Sequence, residues 1–212
     1  SEVASIYHQD RMEAIAHKVT FLSPELLHIS LIDVLKDVAP ISLLHEVLSP
    51  KGFNASQIRD IYRSLSSSQS GKRFFSTEWE VLRDREYLWI QKKDSSPLIP
   101  ELIIEEIERT PSFVIPRDKH IACLDADKLN HPLTIRKWER GDKFIPLGMN
   151  GKKKVSDYLT DKKYSLFQKE NQYVVCSGED IVWLVNERTD HRYRITDSTQ
   201  RILLIKIKKD GQ

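Results

Sequence analysis

The longest uninterrupted apolar runs in this chain are short, such as residues 181–185 (Ile-Val-Trp-Leu-Val) and 202–205 (Ile-Leu-Leu-Ile). Runs of that length suit a β-strand, and none approaches the roughly 20 apolar residues of a membrane-crossing helix. A core must therefore be assembled from many short elements. With 212 residues, 40% hydrophobic, 30% charged, 7 Gly and 9 Pro, the composition is that of a soluble globular protein rather than a disordered or fibrous one. The length suits two small domains. The N-terminus lacks a secretory pattern, so the expected location is cytoplasmic, with no membrane association. Cys123 and Cys176 stand far apart, which excludes a thiolate metal framework and predicts two buried apolar thiols.

Val3, Ile6, Tyr7, Ile15 and Val19 fall at helical spacing and predict an amphipathic N-terminal helix whose apolar face docks on something outside the chain. The apolar stretch 26–32 leads to Pro40, suited to the first position of a helix carrying Leu43, Leu44, Val47 and Leu48, with Gly52 as its stop. Asn54 followed by Gln57 has the form of a capping box for a helix bearing Ile58, Ile61 and Leu65. Beyond Gly71 the pattern changes: Val81, Leu82, Tyr87, Leu88 and Ile90 flank the polar stretch 83–86 and predict a hairpin. A polar stretch rich in serine and proline, residues 93–100, reads as a linker. Further strand-like runs follow, interrupted by a helix over 153–161 with Val155, Tyr158 and Leu159 on one face and lysines on the other. The expected fold class is α+β: a small, mostly helical first domain with a β-hairpin over 1–92, then an α+β domain over 101–212 with a mixed or antiparallel sheet and a Lys-rich helix.

The net charge of +2 conceals an asymmetry. Residues 1–135 carry 16 Lys and Arg against 20 Asp and Glu, whereas residues 136–212 carry 17 against 11. A basic C-terminal half on a nearly neutral chain suggests an anionic partner for that half.

The basic half opens with residues 136–151, Arg-Lys-Trp-Glu-Arg-Gly-Asp-Lys-Phe-Ile-Pro-Leu-Gly-Met-Asn-Gly, followed by Lys152, Lys153, Lys154, Val155, Ser156, Asp157, Tyr158 and Leu159. The order and spacing resemble the C-terminal domain of bacterial tRNA(Ile)-lysidine synthetases: an Arg, then Gly-Asp-basic-aromatic, then Pro-x-Gly-Met-x-Gly, then a Lys-rich helix. The resemblance continues through Asp161-Lys162-Lys163 and Trp183-Leu184-Val185 to Arg188 and Arg192, and upstream Gly52-Phe53, Gln57-Ile58 and Ser70-Gly71-Lys72 look like the family's middle, substrate-binding helical domain. Trp138, Ser165, Lys169 and Asn186 depart from the pattern. Trp138 fits either a core position or a platform for RNA.

The resemblance implies an enzyme that uses ATP and magnesium to activate the wobble cytidine of tRNA(Ile) and then ligates free lysine to it. It places that chemistry in an N-terminal domain with a Ser-Gly-Gly-x-Asp-Ser loop. This sequence has no such loop, so the expectation is a tRNA-binding portion, inactive alone, that meets ATP and lysine only through the other domain and holds no metal or cofactor itself. The candidate tRNA contacts are Arg136, Lys137, Arg140, Lys143, Lys152, Lys153, Lys154, Lys163, Arg188, Arg192 and Arg194, enough cations to neutralise several phosphates if the fold gathers them. Gly141, Gly148 and Gly151 are candidates for close backbone approach to phosphate. Any one of these residues also fits an ordinary solvated surface or turn. The alternative is a stand-alone interaction module that docks through its N-terminal helix, and dimerisation stays open.

Overall fold

In the computed structural model, which describes residues 2–93 and 99–208, and the side chains of this range from residue 9 onward, the chain divides into two compact units. The first comprises Ser1–Ser96 with Ser165–Phe167, and the second Pro97–Tyr164 with Gln168–Gln212. Most of the stretch read as a linker lies outside the described residues, as do the side chains of Val3, Ile6 and Tyr7 on the proposed docking face.

The first unit begins with helix α1 (Glu2–Ala16), followed by strands β1 (Val19–Ser23) and β2 (Leu26–Ser30) and helices α2 (Leu31–Leu35), α3 (Pro40–Leu48) and α4 (Ala55–Ser64). Strands β3 (Lys72–Phe75), β4 (Trp79–Arg83) and β5 (Tyr87–Lys92) complete it. The local signals act as the sequence suggests. Pro40 opens α3, and Gly52 takes φ +83°, a left-handed turn that favours glycine. Asn54 accepts from the Gln57 amide while Gln57 Oε1 accepts from the Asn54 amide, both at 3.0 Å, closing the capping box. The sheet is larger than the hairpin expected: five antiparallel strands in the order β1-β2-β5-β4-β3. Apolar periodicity alone does not separate a short strand from a helical turn, and β2 alternates its buried side chains, Leu27 and Ile29, in the period of a strand. At the sheet's edge β1 leaves Phe21 and Leu22 exposed.

Leu27, Ile29, Leu43, Leu44, Leu48, Ile58, Ile61, Leu88 and Ile90 are fully buried together and join the helices to this sheet. Ile15 belongs to the same core, so the end of α1 packs on its own unit. Buried Asp37 fixes it there, accepting from Arg11 at 2.7 and 3.1 Å and from Lys18 at 2.7 Å. The Phe167 ring lies flat on Trp89, centroids 3.7 Å apart.

The second unit contains β6 (Leu102–Glu108), β7 (Ala122–Asp125), β8 (Leu133–Lys137), β9 (Lys143–Phe144), β10 (Lys153–Lys154), α5 (Val155–Asp161), most of α6 (Leu166–Glu170), β11 (Tyr173–Ser177), β12 (Asp180–Leu184), β13 (Arg188–Thr189) and β14 (Arg201–Ile207). They form three antiparallel sheets, β6-β14-β7, β13-β12-β11-β8 and the two-residue ladder β10-β9. Successive residues of a strand face opposite sides, and β11 serves two cores. Val175 packs with Leu124, Val182, Trp183, Leu203 and Ile205, whereas Val174 packs with Phe144, Val155, Tyr158, Leu159 and Leu184. Covering both faces explains why residues 181–185 read as one apolar run. The overall class is α+β. Among the described residues no helix is long and apolar enough to cross a membrane.

One element departs from expectation. Lys153 and Lys154 precede α5 instead of lining its polar face: they pair with Phe144 and Lys143 in the β9-β10 ladder. The ladder's alternation sends the two lysines in opposite directions.

Candidate functional site

Asp142 organises the basic segment. Its carboxylate accepts two hydrogen bonds from Arg136, at 2.8 and 3.0 Å, and one from the Glu139 amide at 2.8 Å, while its carbonyl accepts from the amide of Val155. Burial works to raise the Asp142 carboxyl, and the bonds from Arg136 and Glu139 outweigh it, leaving the group below its ordinary value. The turn 139–142 and the start of α5 are thereby joined, with Gly141 at φ +103° in the turn. Arg136 belongs to this scaffold.

On that scaffold Lys143 stands directly opposite Lys154, and both are exposed. Cross-strand partners share a face, so two ammonium groups are held side by side. Neither has an acidic partner among the described residues, and neither does exposed Arg140 in the adjacent turn. Lys153 points the other way, binding Asp161 at 2.5 Å with its ammonium 5.9 Å from the Tyr158 ring. Exposed Lys152 adds to the bonds from Arg192 and Tyr193 that hold the Asp180 carboxyl below its ordinary value against burial. Exposed Lys137 reaches Asn171 at 3.5 Å.

The Arg188 to Arg194 run is split by its surroundings. Arg192 is engaged by fully buried Asp190, at 3.0 Å from both Nε and Nη2, and by Asp180 at 2.8 Å; these bonds hold its guanidinium charged. Asp190 also accepts from the amides of Ile145 and Arg192. Arg194 donates to the His191 carbonyl. Arg192 and Arg194 thus brace the fold, whereas Arg188 is exposed. The glycines also divide. Gly148 donates its amide to His191 Nδ1 at 3.1 Å, so that amide is taken, and its φ of +90° rather than crowding explains the residue. A Cβ at Gly141 or Gly151 would meet nothing within 4 Å. Trp138 is half-buried against the core around Phe144 and donates its indole N–H to the Lys169 carbonyl at 2.6 Å, the packing of the core alternative.

A cleft of about 710 Å³ opens elsewhere in the second unit. Its lining includes Arg117, Tyr158, Lys162, Tyr164, Glu187 and Arg188. Glu187 accepts from Tyr164 at 2.5 Å and from Lys119 at 3.1 Å, and burial together with that bond keeps the Tyr164 hydroxyl protonated. Exposed Lys163, at φ +59°, lies in the neighbouring turn. Cys123 lines the cleft as well, half-buried, its thiol pushed up to about 11 by burial and therefore neutral. The sequence singled out Arg188 as a contact and Lys162 only as part of the family resemblance, and gave no sign of Arg117 or Tyr164, because a loop residue's place at a cleft leaves no periodic signal. Among the described residues no group of three His, Cys, Asp or Glu gathers as for a metal.

Comparison with known proteins gives these features a family. A family model described as the TilS substrate binding domain matches residues 23–93. A tRNA(Ile)-lysidine synthase of Bacteroides thetaiotaomicron is 50% identical over 98% of this chain and 48% of its own length. Another, of Parabacteroides distasonis, is 42% identical over 79% of this chain and 41% of its own length. A solved structure described as the TILS C-terminal domain covers 52% of this chain and 85% of its own at 19% identity and a TM-score of 0.45. The chain spans about half the length of the curated relatives it matches, and at 50% identity across nearly all of its residues it belongs to the tRNA(Ile)-lysidine synthase family.

Proposed function

We propose that this chain is a tRNA-binding portion of a cytoplasmic tRNA(Ile)-lysidine synthase, and that its phosphate contacts centre on Arg140, Lys143 and Lys154, with Lys137 and Lys152 at the margin. The supporting observation is the exposed Lys143–Lys154 pair. Like charges held directly opposite each other repel, and a phosphate between them removes that cost. The family relationship supports reading the anion as an RNA backbone. Residues 23–93, which match the family's substrate-binding model, contribute further contact from the first unit. The ligation itself, in which ATP with magnesium activates the wobble cytidine of tRNA(Ile) and lysine displaces AMP, belongs in this proposal to the remainder of the enzyme.

The test is the tRNA affinity of Lys143→Glu/Lys154→Glu at rising salt, beside its thermal melting. Each cation withdrawn from a phosphate should reduce the salt slope by about one, so the double variant should show a slope smaller by about two while remaining folded. Wild-type affinity and slope in the folded variant would overturn this placement. Replacing Lys153 as well would confound the test, because it also removes the Asp161 ion pair.

A further inference from the structure

We infer that the cleft lined by Arg117, Lys162, Tyr164 and Arg188 is a second RNA site, one that takes a single unpaired nucleotide; the inference rests on the tRNA-binding reading above. The volume, about 710 Å³, falls within the range of pockets for drug-sized ligands, the size class of a mononucleotide.

The walls supply each kind of contact that such a ligand needs. Arg117, Lys162 and Arg188 are exposed at the cleft with no acidic partner among the described residues. The two nearby carboxylates are engaged elsewhere: Glu187 by Tyr164 and Lys119, Asp118 by the His120 amide. An incoming phosphate therefore meets surplus positive charge. A site for phosphate alone has no use for the aromatic and aliphatic surface that Tyr164, Ile121 and Leu147 add to the lining. Tyr164, half-buried and oriented by its bond to Glu187, offers a ring against which a base can stack. The bonds from Tyr164 and Lys119 both fall on Glu187 Oε1, so Oε2 remains as an acceptor for an N–H group of a base edge. Unpaired bases are recognised by this combination of stacking and edge hydrogen bonding.

The cleft is also braced. His120 Nδ1 lies 3.1 Å from the Asn186 side chain, Lys119 reaches Glu187, and the Leu147 amide donates to the Thr189 carbonyl at 2.9 Å, so three of its borders are tied to one another. A wall held in this way is preorganised for a ligand.

The experiment is amide-resolved NMR on the whole 212-residue chain, titrated separately with adenosine 5′-monophosphate, inorganic phosphate and a hexaglutamate peptide. The nucleotide should shift residues 117–119, 162–164 and 187–189 saturably and bind at least about tenfold more tightly than phosphate, the amount that stacking one base contributes. Lys162→Glu, at an exposed position, should weaken nucleotide and phosphate alike. Tyr164→Phe, which keeps the ring, should retain most nucleotide affinity, and Tyr164→Ala in a chain whose remaining spectrum is unchanged should weaken binding about tenfold for the nucleotide alone. Absence of saturable shifts, shifts elsewhere, equal affinity for phosphate, or tighter binding of hexaglutamate would each overturn the inference. If the chain binds tRNA but the nucleotide leaves the cleft unshifted, only this inference falls. If Lys143→Glu/Lys154→Glu abolishes tRNA binding while nucleotide shifts persist, the two sites are separate.

Discussion

Asp37 gathers Arg11, Lys18 and the amide of Ala39 around one buried carboxylate. The hydrogen bond from Arg11, helped by Lys18, holds that carboxyl well below the usual range against the opposing effect of burial. Because the folded value is depressed, the stability it contributes is complete above the ordinary carboxylate pKa of about 4 and is lost as pH falls toward the folded value. Asp37→Asn should therefore cost about 2 kcal/mol at neutral pH, less than for a wholly buried pair because Arg11 and Lys18 keep some solvent. Urea melts from pH 7 to pH 2 should show wild type and variant converging in acid; a constant gap would refute the assignment. Arg192 is the counterpart in the second unit. Arg192→Ala should lower the melting temperature and leave the salt slope of tRNA binding near wild type, the reverse of a change at Lys143. In the sequence the two residues look alike, since a basic residue's one-letter code does not reveal whether a buried aspartate is waiting for it.

The β9-β10 ladder carries the same lesson to the element. A run of three lysines before a helix reads as one basic face, yet two strand residues split it: Lys154 joins Lys143 outside while Lys153 turns to Asp161. A single Lys154→Glu places opposite charges across the ladder. It should raise stability by roughly 0.5 kcal/mol while weakening tRNA binding, and melting curves paired with filter binding would expose that trade. Strands with strong apolar runs, the β4-β5 hairpin and the α4 capping box were all legible, because each depends on residues close in sequence. The ladder and the β1-β2 pair were not, because two residues are too few to show a period, β1 leaves Phe21 and Leu22 exposed, and β2 is held on its other side by β5, far along the chain.

For the molecule as a whole, the acidic and basic halves were visible in the sequence, and the basic half contains both the exposed lysine pair and two of the cleft's cations, Lys162 and Arg188. Binding by the isolated chain should be strongly salt-dependent and poorly selective among tRNAs, since phosphate contacts position without reading sequence. Titrated with ATP and magnesium, the chain should respond only at the cleft residues that adenosine 5′-monophosphate shifts, with no dependence on the metal; a second, magnesium-dependent saturable site would show that the chemistry is not confined to the rest of the enzyme. The exposed edge strand β1 bears on a different property, the colloidal behaviour of the chain. An outer strand carrying Phe21 and Leu22 toward solvent is a template on which a second copy can add its own strand. Concentrated samples should thicken into oligomers by edge pairing at a rate that rises with salt as charge repulsion is screened, and Phe21→Lys, a gatekeeper on that edge, should keep light scattering flat under the same conditions.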